Sequence, residues 1–125
     1  MNNAGLLLGR LLLGVPFIVW GILKLTGAAG FSGALAKMGL PSPLILAYLV
    51  GLCELVGGLA IIGGFALRTA SVLLALWCLA TGHIIHVGNR TAFLDHLVMA
   101  GGFLILAAAG AGAWSLAKGR TLGLP

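Results

Sequence analysis

Residues 51–68 read Gly-Leu-Cys-Glu-Leu-Val-Gly-Gly-Leu-Ala-Ile-Ile-Gly-Gly-Phe-Ala-Leu-Arg. The stretch lies in an apolar run that begins near Leu44. Such a run can cross a bilayer, since about 20 apolar residues span about 30 Å of hydrocarbon. One acid, Glu54, stands near its middle, and Asp95 is the only other acid in the chain. An ionised carboxylate at that depth costs about 2.5 kcal/mol or more unless it is paired or protonated. Glu54 therefore needs a partner on a neighbouring span, and the function of the chain turns on that pairing.

Working outward, the same apolar character recurs. Of the 125 residues 61% are hydrophobic and 7% charged, against about 25% charged in a soluble domain. The composition specifies an all-α integral membrane protein, an antiparallel four-transmembrane-helix bundle forming one domain over 1–125. The spans are expected at about 5–25, 44–65, 70–87 and 93–113. Pro16 should kink the first. The first run is read as a retained span and not a signal peptide, because Arg10 and Lys24 interrupt it and no basic region precedes it. Between spans one and two, Phe31, Leu35 and Met38 are spaced for one face of a short interfacial helix. Pro43 suits the first turn of the next helix, and Arg68-Thr69 is read as the turn after it. Small-xxx-small spacings at Gly5 and Gly9, Ala60 and Gly64, Ser71 and Ala75, and Ala108 and Gly112 supply surfaces for close helix approach.

The net charge of +5 comes from bases scattered near span ends, where long side chains snorkel to headgroups. No basic run with interleaved aromatics exists, so nucleic acid is excluded as a partner. With both termini on one side, that side holds Arg10, Arg68, Lys118 and Arg120, and the other holds Lys24, Lys37 and Arg90. The positive-inside rule then favours cytoplasmic termini in a cell (inner) membrane. Cys53 and Cys78 fall in apolar runs at similar depth. They read as packing residues, with a redox pair as the alternative.

Two groups of polar residues lie within the spans. Placing the spans antiparallel by their midpoints puts Arg10 about 7 Å from the level of Glu54 on one side and Lys24 about 13 Å on the other. Arg10 is therefore the expected partner, with Lys24 taking its place if span one starts later. The second group is His83 and His86, which share a helix face, together with Asp95 and His96 across a short turn. They could contribute to a metal site, to a proton path or quinone-head contact through His86, or to a hydrogen-bonded helix end with Asp95 near the dipole. No metal is assigned. G-x-S-x-G, H-E-x-x-H and Walker A patterns are absent, so no catalytic residue is named.

Three stretches resemble the DoxX family of small four-span membrane proteins. They are Leu-Gly-Arg10-Leu-Leu-Leu-Gly14 leading to Trp20-Gly-Ile-Leu-Lys24-Leu, Glu54-Leu-Val-Gly-Gly58 followed by Gly63-Gly-Phe-Ala-Leu-Arg68, and Gly110-Ala-Gly-Ala-Trp114-Ser115-Leu116. The tail departs from the family pattern, with Ala113 where Arg is common and Ala117 where Asp is common. The resemblance implies a four-helix bundle in a prokaryotic cytoplasmic membrane. It also implies a link to redox systems, since the family name comes from a relative of a membrane subunit of a thiosulfate:quinone oxidoreductase. Arg10, Lys24, Glu54 and Arg68 correspond to characteristic positions without assigned roles.

Three functions are weighed. One is an accessory or anchor subunit linked to quinone-dependent redox chemistry, with quinone as the one cofactor admitted. Its partners would be the lipid bilayer, other membrane or redox subunits, and a second copy of the chain. The second is a small proton- or ion-coupled transporter using Glu54. The third is a structural assembly subunit in which the buried pair only sets helix register. A ligand-sized cavity at Glu54 favours the first two, and a closed ion pair favours the third.

Overall fold

A computed structural model describes residues 2–116. The expectations for Ala117, Lys118 and Arg120 fall outside the described residues. Five helices follow one another: α1 (Asn3–Thr26), α2 (Ala28–Lys37), α3 (Pro43–Gly63), α4 (Leu67–Ile84) and α5 (Arg90–Ala109). No strand forms among the described residues. All but α2 are long and apolar enough to cross a membrane, giving the four-span bundle.

Local chemistry sets the helix ends. Asn2 and Asn89 are side-chain N-caps, accepting from the Gly5 and Ala92 amides at 3.1 Å each. Pro43 opens α3, and Pro16 lies inside an unbroken α1. The turn between α3 and α4 differs from expectation. It lies at residues 64–66, and Arg68 and Thr69 belong to the first turn of α4. The cause is Gly64, which takes φ +71° and closes α3, while the Phe65 amide reaches back to the Ala60 carbonyl at 3.1 Å. A side chain at Gly64 would also collide, since its Cβ would lie 2.5 Å from Ser115 Cβ.

α1 packs along the length of α3, and α4 along α5. The α1–α3 seam is built on glycines seven apart. A Cβ at Gly14 would lie 3.0 Å from the Gly58 carbonyl, and one at Gly21 would lie 2.7 Å from that of Gly51. The two backbones are thus in contact, which holds membrane helices together where lipid gives no hydrophobic drive. Of the expected small-residue surfaces, Ser71 and Ala75 are buried, whereas Gly9 meets nothing within 4 Å. The two halves join through Phe17 of α1 and Phe103 of α5, edge to face at 5.3 Å, within a core that includes Ile61, Leu74 and Cys78. α2 lies on α3 by Ala28 and Leu35, which pack against Ala47.

Candidate functional site

The glycine seam fixes the register of α1 on α3, and the register decides which base meets Glu54. Gly14 faces Gly58 and Gly21 faces Gly51, so Lys24 projects from about the level of residue 48 and Arg10 from about that of residue 62. The axial offset to Glu54 is then about 9 Å for Lys24 and about 12 Å for Arg10. Lys24 closes its gap. Its Nζ donates to both Glu54 carboxylate oxygens, at 2.9 and 2.7 Å, and lies 5.4 Å from the Phe31 ring centre. This corrects the expected Arg10–Glu54 pair.

Arg10 is committed elsewhere. It is 2% exposed and donates only to backbone carbonyls. Nε reaches Ile61 O at 3.0 Å, Nη2 reaches Ile62 O, and Nη1 reaches Ala111 O at 3.0 Å and Trp114 O at 2.6 Å. It thereby caps the C-terminus of α3, where unpaired carbonyls gather and the helix dipole favours a cation. It also ties down the segment that follows α5. The Leu116 amide donates to Gly63 O at 2.8 Å and the Ala113 amide to Asn3 Oδ1 at 3.0 Å.

The Glu54–Lys24 pair is not sealed. It lines a cavity of about 250 Å³ whose other walls are Phe17 and Trp20 of α1, Trp77, Cys78 and Thr81 of α4, and His86 and His96. The two imidazoles lie with ring centres 4.6 Å apart. His96 Nδ1 lies 2.7 Å from Ala92 O. A carbonyl only accepts, so that nitrogen carries the proton and Nε2 is the free acceptor of the neutral ring. Gly82 permits the approach, since a Cβ there would lie 2.8 Å from His96 Cβ. Trp77 Nε1 is shielded and has no hydrogen-bond partner among the described residues.

The sequence-predicted residues separate accordingly. Lys24, Glu54, His86 and His96 come together at the cavity. His83 is exposed and lines a second, more open cavity with His86, Asn89 and Arg90, Asp95 is exposed on α5, and Arg10 is at the opposite end. No three His, Cys, Asp or Glu side chains gather as a metal would require among the described residues. The cysteines do not pair. Cys53 is exposed and Cys78 buried. Phe17, Trp20, Trp77, Cys78 and Thr81 were missed as site residues. In an apolar span their only signal is helical phase: Trp77 and Thr81 stand four apart, so they share a face.

His86 follows α4 and lies outside the spans. Burial holds its pKa below the ordinary imidazole value, with the nearby charges of His96 and Lys24 acting in the same direction. The unfolded chain therefore takes up this proton first as pH falls. The stability that depends on neutral His86 is present above about pH 6.5 and is lost as pH drops through the folded value. Thermal unfolding at pH 7.5 and 5.0 is expected to show a drop in the native protein that His86→Gln reduces.

Residues 5–87 match the sequence model of the DoxX family. The chain belongs to the DoxX family. It is 37% identical over 121 residues to inner membrane protein YqjF of Escherichia coli, covering 93% of this chain and 92% of the relative. It is 33% identical over 121 residues to inner membrane protein YphA of the same organism, covering 89% and 86%. A third relative, CatD of Bacillus subtilis, is 37% identical over 92 residues, covering 74% and 66%, and its name assigns it provisionally to the oxidoreductases. No solved structure matches this chain. As a DoxX-family chain with inner-membrane relatives and four spanning helices, the protein contacts the lipid bilayer directly.

Proposed function

We propose that this DoxX protein binds the ring of a membrane quinone in the cavity around Glu54 and serves as an inner-membrane subunit of a quinone-linked redox system. The observation that carries this reading is a ligand-sized space, about 250 Å³, lined by a charged pair, two imidazoles and the Trp77 indole, whose N–H has no partner among the described residues. Drug-sized ligands take about 300–1,000 Å³, so the space suits a single substituted ring. A purely structural ion pair would be packed shut. The provisional oxidoreductase name of CatD points the same way.

The residues fit such a ring. Phe17, Trp20 and Trp77 supply apolar and aromatic walls. The shielded Trp77 Nε1 is a donor whose burial without a partner costs about 1–3 kcal/mol, and a quinone oxygen would meet it if the bound ring turned the indole N–H toward the cavity. A bound quinone supplies a two-electron, two-proton carrier. Glu54, held by Lys24, keeps a proton acceptor at mid-helix depth. His86 lines both this cavity and the open one beside Arg90, so a proton on its ring is exchangeable with water at the α4–α5 loop. With cytoplasmic termini, that loop faces away from the cytoplasm.

Equilibrium binding of a tail-less ubiquinone analogue to the protein in lipid nanodiscs tests this reading. Saturable binding is expected, weakened about tenfold by Trp77→Phe, the worth of one hydrogen bond at about 1.4 kcal/mol. Absence of saturable binding, or equal affinity in Trp77→Phe and Glu54→Gln, would sink it. Flux of protons or ions abolished by Glu54→Gln, without quinone binding, would instead establish a transporter.

A further inference from the structure

We infer that the groove between α3 and α4 holds the prenyl tail of the quinone whose ring occupies the Glu54 cavity. The inference rests on the reading above and extends it from the ring to the tail.

Although a short turn joins them, α3 and α4 pack far less closely than α1 with α3 or α4 with α5. They meet closely at Gly57, where a Cβ would lie 2.9 Å from Leu74 Cδ2. Beside it runs a groove of about 540 Å³ whose walls include Cys53, Val56, Ala60, Ala70, Leu73 and Trp77. No charged side chain lines it. Val56 and Leu73 are 56% and 61% exposed, so the groove opens to the bilayer.

Exposed apolar surface is ordinary on a lipid-facing helix, so the occupant must be identified from position and continuity. Trp77 is a wall of both spaces. A ring in the polar cavity is therefore one indole away from an apolar trough leading to lipid. Depth then selects among amphiphiles. Glu54 stands midway along α3 (Pro43–Gly63), so an occupant whose head reaches the Glu54 carboxylate carries that head toward mid-bilayer. A phospholipid keeps its charged head at the surface, because a charge at that depth is expensive. A quinone has an uncharged head and can sink it there. Its long tail must leave a cavity enclosed by α1, α3, α4 and α5, and the loosely packed α3–α4 seam is the side with an apolar trough at the right level.

The test compares a tail-less and a prenyl-tailed analogue of the same ring in nanodiscs, with affinities expressed against quinone concentration in the bilayer so that partitioning cancels. The tail is expected to add about tenfold in affinity through packing alone. Val56→Trp fills the groove from its exposed rim, and Ala60→Phe fills it from its floor. Both are expected to abolish the tail's gain while leaving tail-less binding within about twofold. Two filling variants guard against one misfolding. A tail gain that survives both variants, or no gain in the native protein, overturns the groove assignment and leaves the ring site standing. Failure of the tail-less analogue to bind the native protein overturns both.

Discussion

Replacing Lys24 by methionine is expected to lower the unfolding free energy by about 3–5 kcal/mol, because it strands a buried charge. Glu54 is 6% exposed and midway along a spanning helix, and its two oxygens receive hydrogen bonds only from Lys24 among the described residues. Methionine keeps the length and the apolar stem of lysine and removes only the donor. The double variant Lys24→Met, Glu54→Gln should recover most of the loss, since the charge that needed a partner has gone. A double-mutant cycle of unfolding in mixed micelles measures the coupling, expected at about 3 kcal/mol in magnitude. A single variant as stable as the parent would show that the pair contributes nothing at this depth. The same variants separate structure from function. If the pair only sets helix register, the neutralised double variant keeps whatever the protein does. If Glu54 serves the cavity, that variant stays folded and loses quinone-ring binding.

The second large effect is expected at Arg10. Arg10→Leu removes the guanidinium donors to the carbonyls of Ile61, Ile62, Ala111 and Trp114, leaving Ile61 O only the Gly64 amide at 3.3 Å. Charged hydrogen bonds are worth about 1.5–3 kcal/mol each, and the Ile62 carbonyl lies in the last turn of α3, where no intrahelical donor follows. A loss of about 4 kcal/mol or more follows, even with partial relaxation. Arg10→Lys should rescue little, because a single ammonium cannot reproduce the planar fork. Amide exchange locates the damage. The Leu116 and Ala113 amides, bonded to Gly63 O and Asn3 Oδ1, should lose protection while the Gly14–Gly58 seam keeps it. Unchanged exchange at both amides would show that segment 110–116 is held without Arg10.

The contrast between these bases shows what the sequence discloses. Hydropathy made the spans legible, and residues 44–65 correspond closely to α3 (Pro43–Gly63). Pro43 marked the start of α3. The need of Glu54 for a partner was also legible, since it follows from the cost of a charge in lipid. The partner's identity was not, because matching span midpoints leaves an uncertainty of two or three residues. That slip, about 3–4.5 Å, is enough to exchange one base for the other. The register is carried by Gly14 and Gly21 against Gly58 and Gly51, a spacing of seven that shorter small-residue patterns overlook. The cavity was half legible. Lys24, Glu54, His86 and His96 are conspicuous because polar groups are rare in these spans. Trp77 and Cys78 are not, because an indole or a thiol in an apolar helix looks like packing until three dimensions show which way it faces. His83 and Asp95 were grouped with them through closeness in sequence, yet α4 ends at Ile84, and Asp95 turns outward on α5.

The cap on Arg10 also bears on biogenesis. Its carbonyl partners come from α3 and from residues 111 and 114, and the last two leave the ribosome 101 and 104 residues after Arg10 itself. Until then a guanidinium inserted with the first helix waits beside a half-built bundle, with its Nη1 group served only by water or lipid phosphate. Release of the last helix and the five residues after it completes the coordination, so the nascent chain gains these hydrogen bonds only after all four spans have been made. A ribosomal stall or a cut before residue 111 would leave an insertion intermediate in which Arg10 keeps its bonds to Ile61 and Ile62 and lacks both partners of Nη1.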